Sequence, residues 1–150
     1  MKWRYRFQVN APAETLYEVA FVPERWFTFF KAYRGLESVD SNWPEEGSSI
    51  VFRYQVVALW VVSIKHTIVE NQRGRSLRVH EEALSGLWID NFRISFDPED
   101  GATNVTLVTN QTSNSLWAGL FVLLAWPLNY LIAPPAMRRL KAIVESAKAT

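Results

Sequence analysis

The chain has 150 residues, 49% of them hydrophobic and 21% charged, a balance that excludes a disordered chain and allows a core without disulfides. Lys and Arg number 16 against 15 Asp and Glu, so the net charge is +1, which argues against a dedicated nucleic-acid binder. With no Cys there is no thiolate zinc site, no Fe–S cluster and no Cys nucleophile, and two His are too few for a structural metal site.

At the N-terminus Lys2, Arg4 and Arg6 alternate with Trp3, Tyr5 and Phe7, and no continuous apolar stretch follows. This does not read as a signal peptide, so the expectation is a mature chain that starts at Met1 and is cytoplasmic. The same alternation predicts a strand over 3–9 with Trp3, Tyr5, Phe7 and Val9 on the buried face. Asn10-Ala-Pro-Ala-Glu predicts a helix start, capped at Asn10 or Ala11, with Pro12 in the first turn and Glu14 at the positive end of the dipole. Pro23-Glu-Arg-Trp predicts a second short helix carrying Trp26, Phe27, Phe29 and Phe30, more aromatics than one face needs. From Tyr33 to Thr112 only strands and turns are read: 36–39, 49–59, 60–70, 76–84, 87–96 and 103–112, with turns at Asn71-Gln-Arg-Gly, Ser85-Gly86 and Asp97-Pro-Glu-Asp-Gly. Short turns between successive strands predict an antiparallel meander.

The last third differs. No charged residue occurs from Gly101 to Met137, and 116–132 is apolar apart from Gly119, Pro127 and Asn129. Pro127 and Pro134-Pro135 predict a kinked or split helix. An amphipathic segment follows, with Met137, Leu140, Ile143 and Val144 on one face.

Three phrases carry a resemblance that covers nearly the whole chain. Val9-Asn-Ala-Pro-Ala-Glu-Thr-Leu-Tyr-Glu-Val, Pro23-Glu-Arg-Trp and Phe96-Asp-Pro-Glu-Asp-Gly-Ala-Thr-Asn-Val resemble, in that order, the opening, second-helix and final-hairpin motifs of the START-like (SRPBCC) superfamily. The resemblance implies an α+β helix-grip fold over residues 1–150 as one domain. In it, a curved antiparallel sheet of about seven strands wraps a long C-terminal helix, with two short helices after strand one and a cavity between sheet and helix. It implies binding of a lipid, sterol, polyketide or plant hormone, or cofactor-independent polyketide cyclase, aromatase or dehydrase chemistry. The chain departs from the family in its tail, which is apolar nearly all round where the family helix is amphipathic.

Taking the larger apolar side chains as the inner face of each strand leaves Tyr54, His66, Glu81, Asp90, Thr109 and Gln111 as inward polar groups. Gln55, Arg53 and His80 then point outward. The strands of His66, Glu81 and Asp90 are consecutive, so these three form the candidate acid/base set, with a structural role for each as the competing reading. Candidate ligand-binding residues are Tyr54, Trp60, Trp88, Phe92, Thr109, Trp26, Phe30, Trp117 and Phe121. No metal and no organic cofactor is expected. Segment 116–132 is expected to lie buried under the sheet, with Trp117, Phe121, Leu124, Leu128 and Ile132 facing the sheet or ligand. Peripheral membrane contact, helped by Arg138, Arg139 and Lys141, and a true membrane span are the alternatives. The expected partner is thus a hydrophobic small molecule, not a nucleic acid, and the oligomeric state stays open.

Overall fold

The computed structural model describes residues 1–57 and 59–148. The chain runs β1 (Lys2–Val9), α1 (Ala13–Ala20), β2 (Tyr33–Val39), β3 (Ser49–Val57), β4 (Trp60–Gln72), β5 (Ser76–Ala83), β6 (Ile89–Glu99), β7 (Ala102–Thr112), α2 (Leu116–Ala125), a 3-10 turn (Trp126–Leu128) and α3 (Asn129–Lys148). Ala58, inside the strand expected over 49–59, lies outside the described residues, as do the last two positions of the expected 1–150 domain.

All seven strands form one antiparallel sheet in the order β1-β7-β6-β5-β4-β3-β2. The meander from β2 to β7 keeps sequence neighbours adjacent, and β1 closes onto β7. The β6–β7 hairpin turns at Asp100 and Gly101, both at positive φ (44° and 82°), with Glu99 paired to Ala102. That is the two-residue turn whose twist matches that of the strands, and Asp-Gly is its preferred sequence. The period-2 expectation for the inner face holds: Ile50, Phe52, Ile64, Ile68, Leu77, Val79, Phe92, Phe96 and Val105 are all buried.

Helix α1 begins one or two residues later than expected, with Pro12 as its extended N-cap in place of Asn10 or Ala11. The second short helix is realised as one helical turn, Trp26 N–H to Val22 C=O at 2.9 Å, followed by tighter turns closed by Thr28 to Arg25 and Phe30 to Phe27. Phe27 at φ +62° explains why it goes no further, since a left-handed residue cannot continue a right-handed helix. Its ring is held among Trp26, Phe30, Phe52 and Phe92.

The C-terminal helix is split at one of the two expected places, Pro127, and not at Pro134-Pro135. Pro134 and Pro135 lie inside α3, while the break falls at Trp126–Leu128 around Pro127 and bends α2 from α3 by 61°. The two halves bury different amounts. On α3, Ala133, Ala136, Met137, Leu140 and Val144 pack into the core, and Arg139 donates to the Phe29 carbonyl at 3.1 Å. On α2 only Ala118 and Val122 are buried. The expectation that 116–132 lies under the sheet is therefore corrected: the amphipathic second half is gripped, and α2 covers one end with its far side open. A helix apolar all round has no preferred face, so a small buried stripe suffices to seat it.

Candidate functional site

Between the inner face of the sheet, α1, the Val22–Phe30 turns and α2–α3 lies a cavity of about 230 Å³. Its wall is mostly aromatic and aliphatic, including Trp3, Trp26, Phe30, Trp88, Phe92 and Phe121. Its polar members are few: Tyr54, Gln55, Glu81, Asp90, Thr109, Gln111 and Asn129.

The register explains how three of these, Glu81, Asp90 and Gln111, meet. His66 pairs with Glu81, Glu81 with Asp90, and Asp90 with Gln111, so one transverse row of polar side chains crosses β4, β5, β6 and β7 on the inner face. Within it Glu81 is doubly engaged. Its Oε2 lies 2.7 Å from His66 Nε2, and its Oε1 accepts from Trp88 Nε1 at 2.6 Å. The other His66 nitrogen, Nδ1, accepts from Trp26 Nε1 at 2.9 Å. An indole N–H can only donate, so Nδ1 carries no proton and Nε2–H donates to Glu81. The chain Trp26–His66–Glu81–Trp88 thus fixes the neutral imidazole in one tautomer.

Of the two readings of His66, acid/base and structural, the geometry favours the structural one. The ring is 0% exposed and is not part of the cavity wall. Phe27, Phe52, Phe92 and Trp26 surround it at ring-centroid distances of 4.6, 4.9, 5.3 and 5.7 Å. Both nitrogens are spent on buried partners, so it has no free lone pair or proton to offer a ligand. Glu81 and Asp90 do reach the wall. Burial, reinforced by the charge of Glu81, pushes Asp90 up from 3.8 to about 7. Its Oδ1 accepts from the Asn110 backbone N–H at 2.9 Å. Burial, again with the Glu81 charge, raises Tyr54 far above the ordinary phenol range, so its hydroxyl stays protonated.

Of the other expected ligand contacts, Tyr54, Thr109, Trp26, Phe30, Trp88, Phe92 and Phe121 line the cavity. Two do not. Trp117 is 83% exposed on the outer side of α2, because the small residues Ala118 and Val122 take the inward positions. Trp60, 46% exposed, stands at the first residue of β4 with its ring edge-on to Phe121 at 5.9 Å. The register shift between Gln55 and Val57 alters the face alternation there and brings Gln55, expected outside, to the cavity rim. Leu124 is likewise turned outward, whereas Leu128 and Ile132 reach the wall. Sequence reasoning missed the capture of His66 by Trp26 and the indole N–H of Trp3, which is buried and has no hydrogen-bond partner among the described residues. Among the described residues, no group of three or more His, Cys, Asp or Glu stands where a metal ion could be held.

A curved antiparallel sheet gripping a C-terminal helix over an apolar cavity defines a helix-grip fold. No protein-family model matches the chain, and no curated protein matches it. Solved structures do. TTHA0849 from Thermus thermophilus is similar at a TM-score of 0.76, covering 98% of this chain and 99% of its own at 19% identity. Protein CV1439 from Chromobacterium violaceum is similar at 0.73, covering 96% of both chains at 14% identity. Ara h 8.0201 is similar at 0.69, covering 97% of this chain and 98% of its own at 11% identity. The likeness is one of fold, end to end.

Proposed function

We propose that the protein binds a hydrophobic small molecule, a lipid, isoprenoid or polyketide, in the cavity between the sheet and α2–α3. The observation that carries this reading is the division of the wall: aromatic and aliphatic side chains nearly everywhere, and polar groups confined to a few positions. An apolar wall supplies affinity at about 25 cal/mol per Å² removed from water, and sparse polar groups set orientation. The START-like resemblance of the sequence agrees with it. Each Glu81 oxygen already accepts from a protein donor, so the groups that offer a ligand oxygen a partner include the Asp90 carboxyl, the Tyr54 and Thr109 hydroxyls, the Gln111 and Asn129 amides and the Trp3 N–H, which has no partner among the described residues. A carbonyl or hydroxyl on an otherwise greasy molecule suits that set.

Native mass spectrometry of the purified protein, with organic extraction of bound material, tests the proposal. The expected result is a discrete adduct of a few hundred daltons that extracts into organic solvent. A protein that carries no adduct and does not bind a dansyl-labelled fatty acid overturns it.

A cofactor-independent cyclase or dehydrase is the second reading. What favours it is the pairing of a carboxyl that titrates near neutrality with an adjacent carboxylate on a cavity wall. In this reading Asp90, not His66, is the acid/base group. Asp90→Asn then retains ligand but loses turnover of a polyketide substrate; equal turnover by both proteins rules it out.

A further inference from the structure

The outer side of α2 is bare. Leu116, Trp117, Leu120, Leu123 and Leu124 are all exposed, Leu116 at 93% and Leu124 at 71%. At 100° per residue they occupy one side of the helix, opposite the buried Ala118 and Val122. A second segment extends the patch. The tip of the β3–β4 hairpin presents Leu59, 95% exposed, with Trp60 and Val61, and Trp60 touches α2 through Phe121. Beyond the bend, exposed Leu128 and Leu131 continue it. A contiguous apolar surface built from two segments is far more than scattered surface leucines.

Charge identifies what fits this surface. From Gly101 to Val144 the sequence has no acidic residue; of the cations at the end of this stretch, Arg139 is held by the Phe29 carbonyl and Lys141 faces Glu145 at 3.7 Å, which leaves Arg138 exposed beside the patch. Leu131 and Arg138 are both exposed and lie seven residues apart on one face of α3, which places a cation about 10 Å along the axis from the apolar end. Greasy side chains on α2 and the hairpin tip, then exposed Tyr130, then Arg138 follow the polarity profile of a bilayer leaflet from acyl chains to anionic headgroups. A second copy of the chain fits worse. A two-fold interface would bring Arg138 and its copy to one surface whose segments, 59–61, 116–124 and 128–138, hold no carboxylate to pair them. Among the described residues no single helix is long and apolar enough to cross a membrane.

We propose that α2 and the β3–β4 hairpin tip dock the protein on an anionic lipid bilayer. This rests on the cavity reading and deepens it. Phe121 and Val122 of α2, with Leu128 and Ile132 after it, are cavity wall. The helix that meets lipid on one side therefore meets the ligand on the other, and the ligand is a membrane-resident molecule taken up past α2.

Flotation with phosphatidylcholine vesicles, with and without phosphatidylglycerol, tests this on the full chain. The wild type is expected to float with the anionic vesicles. Trp117→Glu/Leu124→Glu is expected to lower the bound fraction at least about tenfold, since both side chains would be set in acyl chains. Arg138→Gln is expected to weaken binding only to the anionic vesicles. Both α2 sites are solvent-facing, so the variant should keep the wild-type circular dichroism and Tm. Wild type that stays with the unbound fraction, or a double variant that floats equally, overturns the proposal. So does a dimer in sedimentation that the double variant dissolves while vesicles are ignored. Vesicle-free binding of a dansyl-labelled fatty acid separates the two claims. Retained probe without flotation removes the docking alone, and flotation without probe binding removes the cavity reading.

Discussion

Glu81 and Asp90 stand directly opposite each other across the β5–β6 pair, and both side chains reach the cavity wall. With Asp90 raised to about 7 and its ordinary value at 3.8, the folded chain holds a proton that the unfolded chain has released over that range. Stability therefore falls as pH rises from about 4 to about 7 and levels off above, with a slope of at most about 1.4 kcal/mol per pH unit. Asp90→Asn keeps the acceptor for Asn110 and removes the charge. Calorimetry should show it melting several degrees above wild type at pH 8, with the gap closing by pH 4. A gap that does not change with pH would mean that Asp90 is ionised throughout.

His66→Ala removes a group that accepts from one buried donor, the Trp26 N–H, and donates to one acceptor, Glu81 Oε2. Urea unfolding should show a loss of about 2–4 kcal/mol, because the Trp26 N–H and one Glu81 oxygen are left without a partner. Ligand retention should survive in the folded fraction. A loss under about 1 kcal/mol would contradict the Trp26–His66–Glu81–Trp88 chain. Nitrogen NMR of the imidazole offers an independent check, with the proton expected on Nε2.

Ala133, buried on α3, lines the cavity. In a filled core Ala→Leu costs about 1–3 kcal/mol through overpacking. Here the added side chain has space to enter, so Ala133→Leu should leave Tm unchanged or raised while weakening binding of a dansyl-labelled fatty acid about tenfold. A drop in Tm together with unchanged probe affinity would show that the space is not a binding cavity.

Much of this architecture is legible from alternation and turns. Parity along each strand placed His66, Glu81, Asp90 and Gln111 inward, and short turns made their strands neighbours. The transverse row follows from those two facts. The role of His66 did not follow, because its partner Trp26 sits in a turn set by the left-handed Phe27, and periodicity says nothing about such a residue. Trp117 and Trp60 failed for different reasons. A helix apolar on every side gives no phase from which to choose the inner face, so Trp117 could be assigned to either side. Trp60 has inward parity, but it starts its strand next to a register shift. The tail misled in a third way. Hydrophobicity marked 116–132 as the buried segment, whereas the weaker amphipathic pattern from Ala133 to Val144 marks the helix that is gripped.

The thin attachment of α2 has a consequence for the timescale of opening. Local opening costs roughly what the segment buries, and α2 buries Ala118 and Val122 where α3 buries five side chains, Met137 and Leu140 among them. Backbone amides of α2 should therefore exchange with deuterium orders of magnitude faster than those of α3 from Ala136 to Val144, with a smaller gap once the cavity is filled. On the proposed reading, the free energy of lifting this one helix, rather than any barrier at the sheet, sets how fast a ligand enters and leaves.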